Sequence, residues 1–164
     1  MWFNNILPDR IDELLRAIQR TPGFETWAAN FTPDSLGLLG IWFANQVDTR
    51  PRTQEEMLEI ANQSSFPKEI PNVELTNRTF SIAFDIGFYL SQVLLKNNPS
   101  LKWDQAFKGK RYVDYGQPVL MGFGVVPFNP VRMMVVLAYG LADKMKTGGT
   151  LREIYNIWVQ MIKA

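Results

Sequence analysis

Asp85, Tyr89 and Arg132 are the side chains whose types and settings call for an explanation in terms of chemistry. Asp85 interrupts an apolar run over residues 76–97, where Phe80, Ile82, Ala83, Phe84, Ile86, Phe88, Leu90, Val93, Leu94 and Leu95 cover most of a helix circumference. A helix apolar on nearly every side is enclosed by its domain, so an acid on it has to be paired or solvated. Ser81 and Tyr89 share its side at helical spacing. Arg132 stands near the start of its own helix, where a cation opposes the dipole and therefore answers to a carboxylate. A contact between Asp85 and Arg132 would satisfy both. Together with Tyr89 they outline a pocket for a small molecule, or for carboxylate-dependent catalysis, since perturbed acids mark functional sites. The competing reading is that Asp85 faces solvent or an internal hydrogen bond.

The rest of the composition narrows the chemistry. The chain of 164 residues has no histidine and no cysteine. That removes Ser-His and Cys-His nucleophilic arrangements, thiolate metal sites and disulfide scaffolds. No G-x-x-x-x-G-K-[ST] or G-x-G-x-x-G loop is present, and Gly122-Phe123-Gly124 lacks the third glycine and a correctly placed helix. Glu55, Glu56 and Glu59 cluster at the spacing of a solvated helix face. No catalytic residue, metal ligand or cofactor is therefore assigned. Lys102, Lys108, Lys110 and Arg111 lie among Trp103, Tyr112 and Tyr115 on a predicted hairpin. Such interleaving binds single-stranded nucleic acid, but the alternation that turns the lysines outward turns Trp103 inward, so nucleic acid is not an expected partner. The first sixty residues hold nine acids and five bases, the remainder seven and twelve, an asymmetry suited to a basic protein partner.

The elements that position these residues can be read from caps and periodicity. A helix is expected over residues 9–20, with Ile11, Leu14, Leu15 and Ile18 inward, and one or two helical turns over residues 24–31. Thr32-Pro33 opens a second helix with Leu36, Leu39, Trp42, Phe43 and Val47 inward, where Gly37 and Gly40 imply tight packing. Thr53 with Glu56 forms a capping box for a short polar helix, and residues 64–75 read as a loop. Thr76 caps the central helix, Gly87 in its middle implies close approach of another backbone, and Asn98-Pro99 ends it. Strands follow at residues 101–107, 112–115 and 117–123, Pro118 marking the last as an edge strand or a bulged one. Asn129-Pro130 begins a helix to about residue 146, and Thr150 with Glu153 caps the last one. Gly87 and Trp103 are the expected structural centre. The expected fold is α+β, a mostly helical single domain over residues 1–164 around a small antiparallel sheet of two or three strands.

The order of landmarks resembles that of small uncharacterised bacterial proteins. It comprises Thr32-Pro33-Asp34-Ser35-Leu36 leading to Trp42-Phe43, Asp85-Ile86-Gly87-Phe88-Tyr89-Leu90, Asn98-Pro99, Trp103, Pro118-Val119-Leu120 and Asn129-Pro130. In those proteins a glycine-bearing helix with a following Tyr-Leu precedes a Trp hairpin. Related helix-plus-hairpin blocks occur in proteins similar to immunity factors of bacterial toxin systems. The resemblance covers residues 32–140 and implies no activity, cofactor or site residue. With no signal-peptide pattern after Met1 and no membrane-length apolar run, the expectation is a cytoplasmic bacterial protein. Its expected role is non-catalytic, binding or regulating another protein in the manner of an immunity factor. The alternative is a small-molecule binder or carboxylate-dependent enzyme with its pocket at Asp85.

Overall fold

A computed structural model describes residues 3–63, 71–105 and 117–162. In chain order the elements are α1 (Phe3–Gln19), α2 (Ser35–Gln46), β1 (Thr49–Pro51), α3 (Gln54–Gln63), β2 (Val73–Leu75), α4 (Asn77–Asn97), β3 (Lys102–Gln105), β4 (Pro118–Phe123), β5 (Val126–Phe128), α5 (Pro130–Ala142) and α6 (Thr150–Gln160). The fold is mostly helical α+β, with two small antiparallel sheets among the described residues. β1 pairs β2, and β3, β4 and β5 form a second sheet in that order.

α4 is the axis. The Thr76 hydroxyl accepts from the Thr79 amide at its start, as a capping residue should. Ala83, Ile86, Tyr89, Leu90, Val93 and Leu94 are fully buried along it. α5 crosses α4 at Gly87, where a Cβ would lie 2.7 Å from the Val131 Cα and 3.1 Å from the Pro130 carbonyl oxygen. No side chain larger than hydrogen fits there, and the cost of a mid-helix glycine, about 1 kcal/mol against alanine, is offset by backbone-to-backbone packing. α1 lies along another side of α4, burying Leu7, Ile11, Leu14 and Ile18. α2 packs on α6 and on the turn before it, where a Cβ on Gly40 would strike the Gly148 carbonyl.

Several local expectations change in three dimensions. α1 begins six residues earlier than its periodicity suggests and runs through Pro8. The segment after it forms turns rather than a helix, yet it delivers Trp27 to the core. Thr49–Pro51 and Val73–Leu75, expected as connection and loop, pair as strands because the chain returns antiparallel with Arg50 opposite Glu74. Of the two readings of Pro118, edge strand or bulged strand, the first fails, since β4 lies between β3 and β5 with the proline as its first residue, while the second fits the register shift of β4 against β5 between Leu120 and Phe123. Gly37, unlike Gly40, meets nothing within 4 Å of an added Cβ. α5 stops at Ala142, and Lys144 with φ of 65° turns the chain so that the Lys146 amide reaches the Gly140 carbonyl. Thr150 is already helical, and its hydroxyl accepts from the Thr147 amide rather than capping with Glu153. The strand expected at residues 112–115, with Lys108, Lys110, Arg111, Tyr112 and Tyr115, lies outside the described residues.

The capping box of α3 forms as its sequence dictates. The Glu56 amide donates to the Thr53 hydroxyl and the Thr53 amide to Glu56 Oε1, both at 3.1 Å. Arg50 closes on the same carboxylate with two bonds of 2.8 Å. Those bonds hold the Glu56 carboxyl down at about 2.

Two outcomes follow from this architecture. Gly87→Leu should destabilise the fold by 1–3 kcal/mol or more, because two backbones would have to separate, and thermal unfolding followed by circular dichroism would register a clear drop in Tm. Because Glu56 ionises more readily in the fold than its ordinary 4.5, its contribution is present above that value and is lost as pH falls through about 2. A carboxyl NMR titration should place the Glu56 midpoint near 2 in the parent, and Arg50→Ala should move it upward.

Candidate functional site

The outer face of α4 carries the one aromatic pair on this helix that the core does not enclose. Phe84 is 46% exposed and Phe88 half-buried. Their position follows from the turn that buries Ile86 and Gly87 against α5: residues 84 and 88 stand one helical turn apart on the flank between α1 and the β3–β4 sheet. On the sheet side a cavity of about 260 Å³ opens between them and Trp103, Gln117, Pro118, Asn129, Pro130 and Val131. On the α1 side a second cavity, also about 260 Å³, is lined by the same two phenylalanines with Ile6, Arg10, Ser81 and Asp85. Phe84 and Phe88 thus form a ridge between two hollows.

β3 positions Trp103 opposite Leu120 of β4, and the half-buried side chain lines the cavity together with Phe84 and Phe88. Asn129 holds the far wall. Its Oδ1 accepts from the Arg132 amide and so starts α5, while its Nδ2 donates to Gln117 Oε1 at 2.7 Å and ties that start to β4.

Asp85 answers to Arg10, not to Arg132. Arg10 Nε and Nη2 donate to the two carboxylate oxygens, each at 2.8 Å, in the planar fork that carboxylates favour. The arginine side chain remains 41% exposed and the carboxylate only 9%. Burial pushes the Asp85 carboxyl above the usual carboxylate range, and the Arg10 hydrogen bonds and charge oppose that rise without cancelling it. Tyr89 lines neither hollow and is wholly buried in the core. Its hydroxyl shares a 2.7 Å hydrogen bond with Ser35 Oγ and accepts from the Phe31 amide, and its ring stacks on Phe31 at 5.3 Å. Arg132 is exposed on α5. The three residues singled out by sequence therefore do not converge: Asp85 lines the α1-side hollow, Tyr89 is a core residue tying the 20–34 segment to α4, and Arg132 lies on another element.

Sequence reasoning missed Phe84 and Phe88 as surface residues because they count as apolar positions in an apolar helix. The available signal was their i, i+4 spacing on the side away from Ile86 and Leu90. Among the described residues, no group of three or more acidic, histidine or cysteine side chains is placed to hold a metal ion. No helix among them is long and apolar enough to cross a membrane. Comparison with protein-family models, with curated proteins and with solved structures returns no match.

The Arg10–Asp85 pair can be tested on its own. Arg10→Met should cost about 1–3 kcal/mol at neutral pH, since it strands a carboxylate that is mostly buried. Asp85→Asn should cost less, since Arg10 still reaches water. A carboxyl whose folded pKa lies above its unfolded value destabilises only once it ionises, so its penalty grows as pH rises through that range. The Tm deficit of Arg10→Met relative to the parent should therefore narrow on acidification from pH 7 to pH 4. A deficit that is flat with pH would contradict this account.

Proposed function

We propose that this protein is a non-catalytic binding protein that takes an apolar segment of another protein across the ridge of Phe84 and Phe88. The observation that carries the proposal is the exposed Phe84 between two hollows of about 260 Å³ each. Scattered exposed apolar residues need no explanation, whereas aromatics grouped with concavities mark interaction sites. Each hollow is smaller than the 300–1,000 Å³ typical of a drug-sized ligand site. Each is instead of a size to receive one or two side chains, the way interface anchors seat in desolvated pockets.

Carboxylate-dependent catalysis finds less support. Both Asp85 oxygens are engaged by Arg10, and the Tyr89 hydroxyl is spent on Ser35 and Phe31. The resemblance of residues 32–140 to small uncharacterised bacterial proteins, whose helix-plus-hairpin blocks have relatives in proteins similar to immunity factors, is in keeping with the same class, a cytoplasmic factor that binds and regulates a protein partner. Arg10 at the rim, its side chain 41% exposed and two of its nitrogens held by Asp85, supplies a cation whose second role would be to orient an acidic group of that partner.

The test is capture from the native host with the parent protein and with Phe84→Ser as bait. Phe84 is nearly half exposed, so the variant should melt within a few degrees of the parent and yet lose the captured protein. Equal capture by both baits, or no capture by either, would defeat the proposal.

A further inference from the structure

Between α1 and the C-terminal half of α4 lies another hollow, of about 270 Å³, that shares no lining residue with the two beside the ridge. Its apolar lining includes Leu7 and Ile11 of α1, both buried, and the half-buried ring of Phe31. Asp12, next in sequence to Ile11, brings a carboxylate to the α1 side. Gln92 and Lys96, one helical turn apart, bring an amide and an ammonium to the α4 side. The hollow thus has an acid on one helix, a cation on the other and aliphatic surface with them.

Neither charge is neutralised within the chain. Among the described residues none hydrogen-bonds the side chain of Asp12 or Gln92, and neither Asp12 nor Lys96 joins an ion pair. That sets this hollow apart from the one at Arg10 and Asp85, whose charges satisfy each other. Both Asp12 and Lys96 are exposed, so a ligand reaches them from solvent. Lys96 is positioned all the same: its ammonium stands 4.0 Å from the centroid of the Phe31 ring, a contact that leaves its N–H donors for an anion. Phe31 is fixed against its own preference. Its φ of 60° is a strained setting for a phenylalanine. The Tyr89 hydroxyl, accepting from its amide at 3.1 Å, and Asn97 Nδ2, donating to its carbonyl at 2.8 Å, hold it there. Strain imposed by the surroundings in this way clusters at ligand clamps.

We infer that this hollow binds a free α-amino acid with an aliphatic side chain. The ligand's ammonium lies at Asp12, its carboxylate at Lys96 and Gln92, and its side chain over Leu7 and Ile11. A simple carboxylate would set its charge against Asp12 and a simple amine would set its charge against Lys96, so a ligand bearing both charges is the one that complements both helices. The volume agrees, being below the roughly 300–1,000 Å³ of drug-sized sites and of a size for leucine. The site is separate from the protein partner proposed for the ridge.

Isothermal titration calorimetry of the full chain with L-leucine, paired with amide NMR to locate the ligand, tests the inference. The parent should bind leucine saturably, with shifts at the amides of Phe31 and Gln92. Isocaproate, which lacks the amine, and leucinamide, which lacks the carboxylate, should each bind roughly tenfold more weakly or worse, the loss of one charge-assisted hydrogen bond. Asp12→Asn and Lys96→Met replace exposed side chains, so both should keep the parent's circular dichroism and Tm while weakening leucine by a similar factor. Phe84→Ser should bind leucine as the parent does. A parent that takes up no leucine up to its solubility limit would overturn the inference. So would isocaproate binding as tightly as leucine, variants at Asp12 and Lys96 that bind like the parent, or loss of binding in Phe84→Ser, which would move the ligand to the ridge.

Discussion

The crossing of α4 and α5 at Gly87 sets the geometry of everything around it. Two helix backbones approach so closely there that the Val131 Cα occupies the space of a side chain. Close packing on that scale admits no sliding, because any shift along either helix would bring a side chain into the contact. It thereby fixes where α5 begins, and with it Asn129, whose side chain both caps α5 and bonds Gln117 beside β4. Asn129 thus helps to register the three-stranded sheet to α4, alongside the core packing of Leu120, Phe123 and Phe128. The cavity between Phe84, Phe88 and Trp103 is the space left over when that registration is complete.

Around this crossing the enclosed polar atoms of Trp27, Trp42 and Tyr89 are satisfied from distant parts of the chain. The segment between α1 and α2 does most of it. Trp27 Nε1 donates to the Ser35 carbonyl, Tyr89 meets Ser35 and Phe31, and Trp42 Nε1 donates to Thr21. Buried polar atoms left unpaired cost about one to three kcal/mol each, so these bonds tie the irregular segment to α2 and α4. Phe31 accepts a positive φ of 60° in that role, with its ring between Tyr89 and the Lys96 ammonium at 4.0 Å.

The β1–α3–β2 excursion is attached differently. α3 has no buried residue, and Leu58 is 64% exposed. Its anchorage is ionic: Arg52 bonds Glu74, and the Tyr139 hydroxyl on α5 donates to the same carboxylate. Burial alone would raise the Glu74 carboxyl, but Tyr139, the Leu75 amide and Arg52 together hold it below its ordinary value. Burial and the neighbouring Glu74 push the Tyr139 phenol up to about 12, so it keeps its proton and remains the donor. Leu75, wholly buried, gives the excursion its apolar footing.

What the sequence by itself determined lies within one helical turn. Thr76 and Asn129 cap their helices and Thr53 reciprocates with Glu56 because donor and acceptor are three residues apart. That α4 carries the core was likewise legible from its many apolar residues, but its enclosure on nearly all sides was not borne out: Ser81, Phe84 and Lys96 stand exposed on its outer face. The need of Asp85 for a cation was legible too, but not which cation. Arg10, 75 residues away, and Arg132 satisfy that need equally on paper. Only the placement of α1 on α4, set by the burial of Leu7, Ile11, Leu14 and Ile18, brings one of them within 2.8 Å. The same holds for β1 and β2, which are too short to show an alternation and exist only because the chain returns alongside itself. It holds for Phe84 and Phe88 as well: apolar identity says that a side chain gains by burial, but how the helices cross decides which ones are left at the surface.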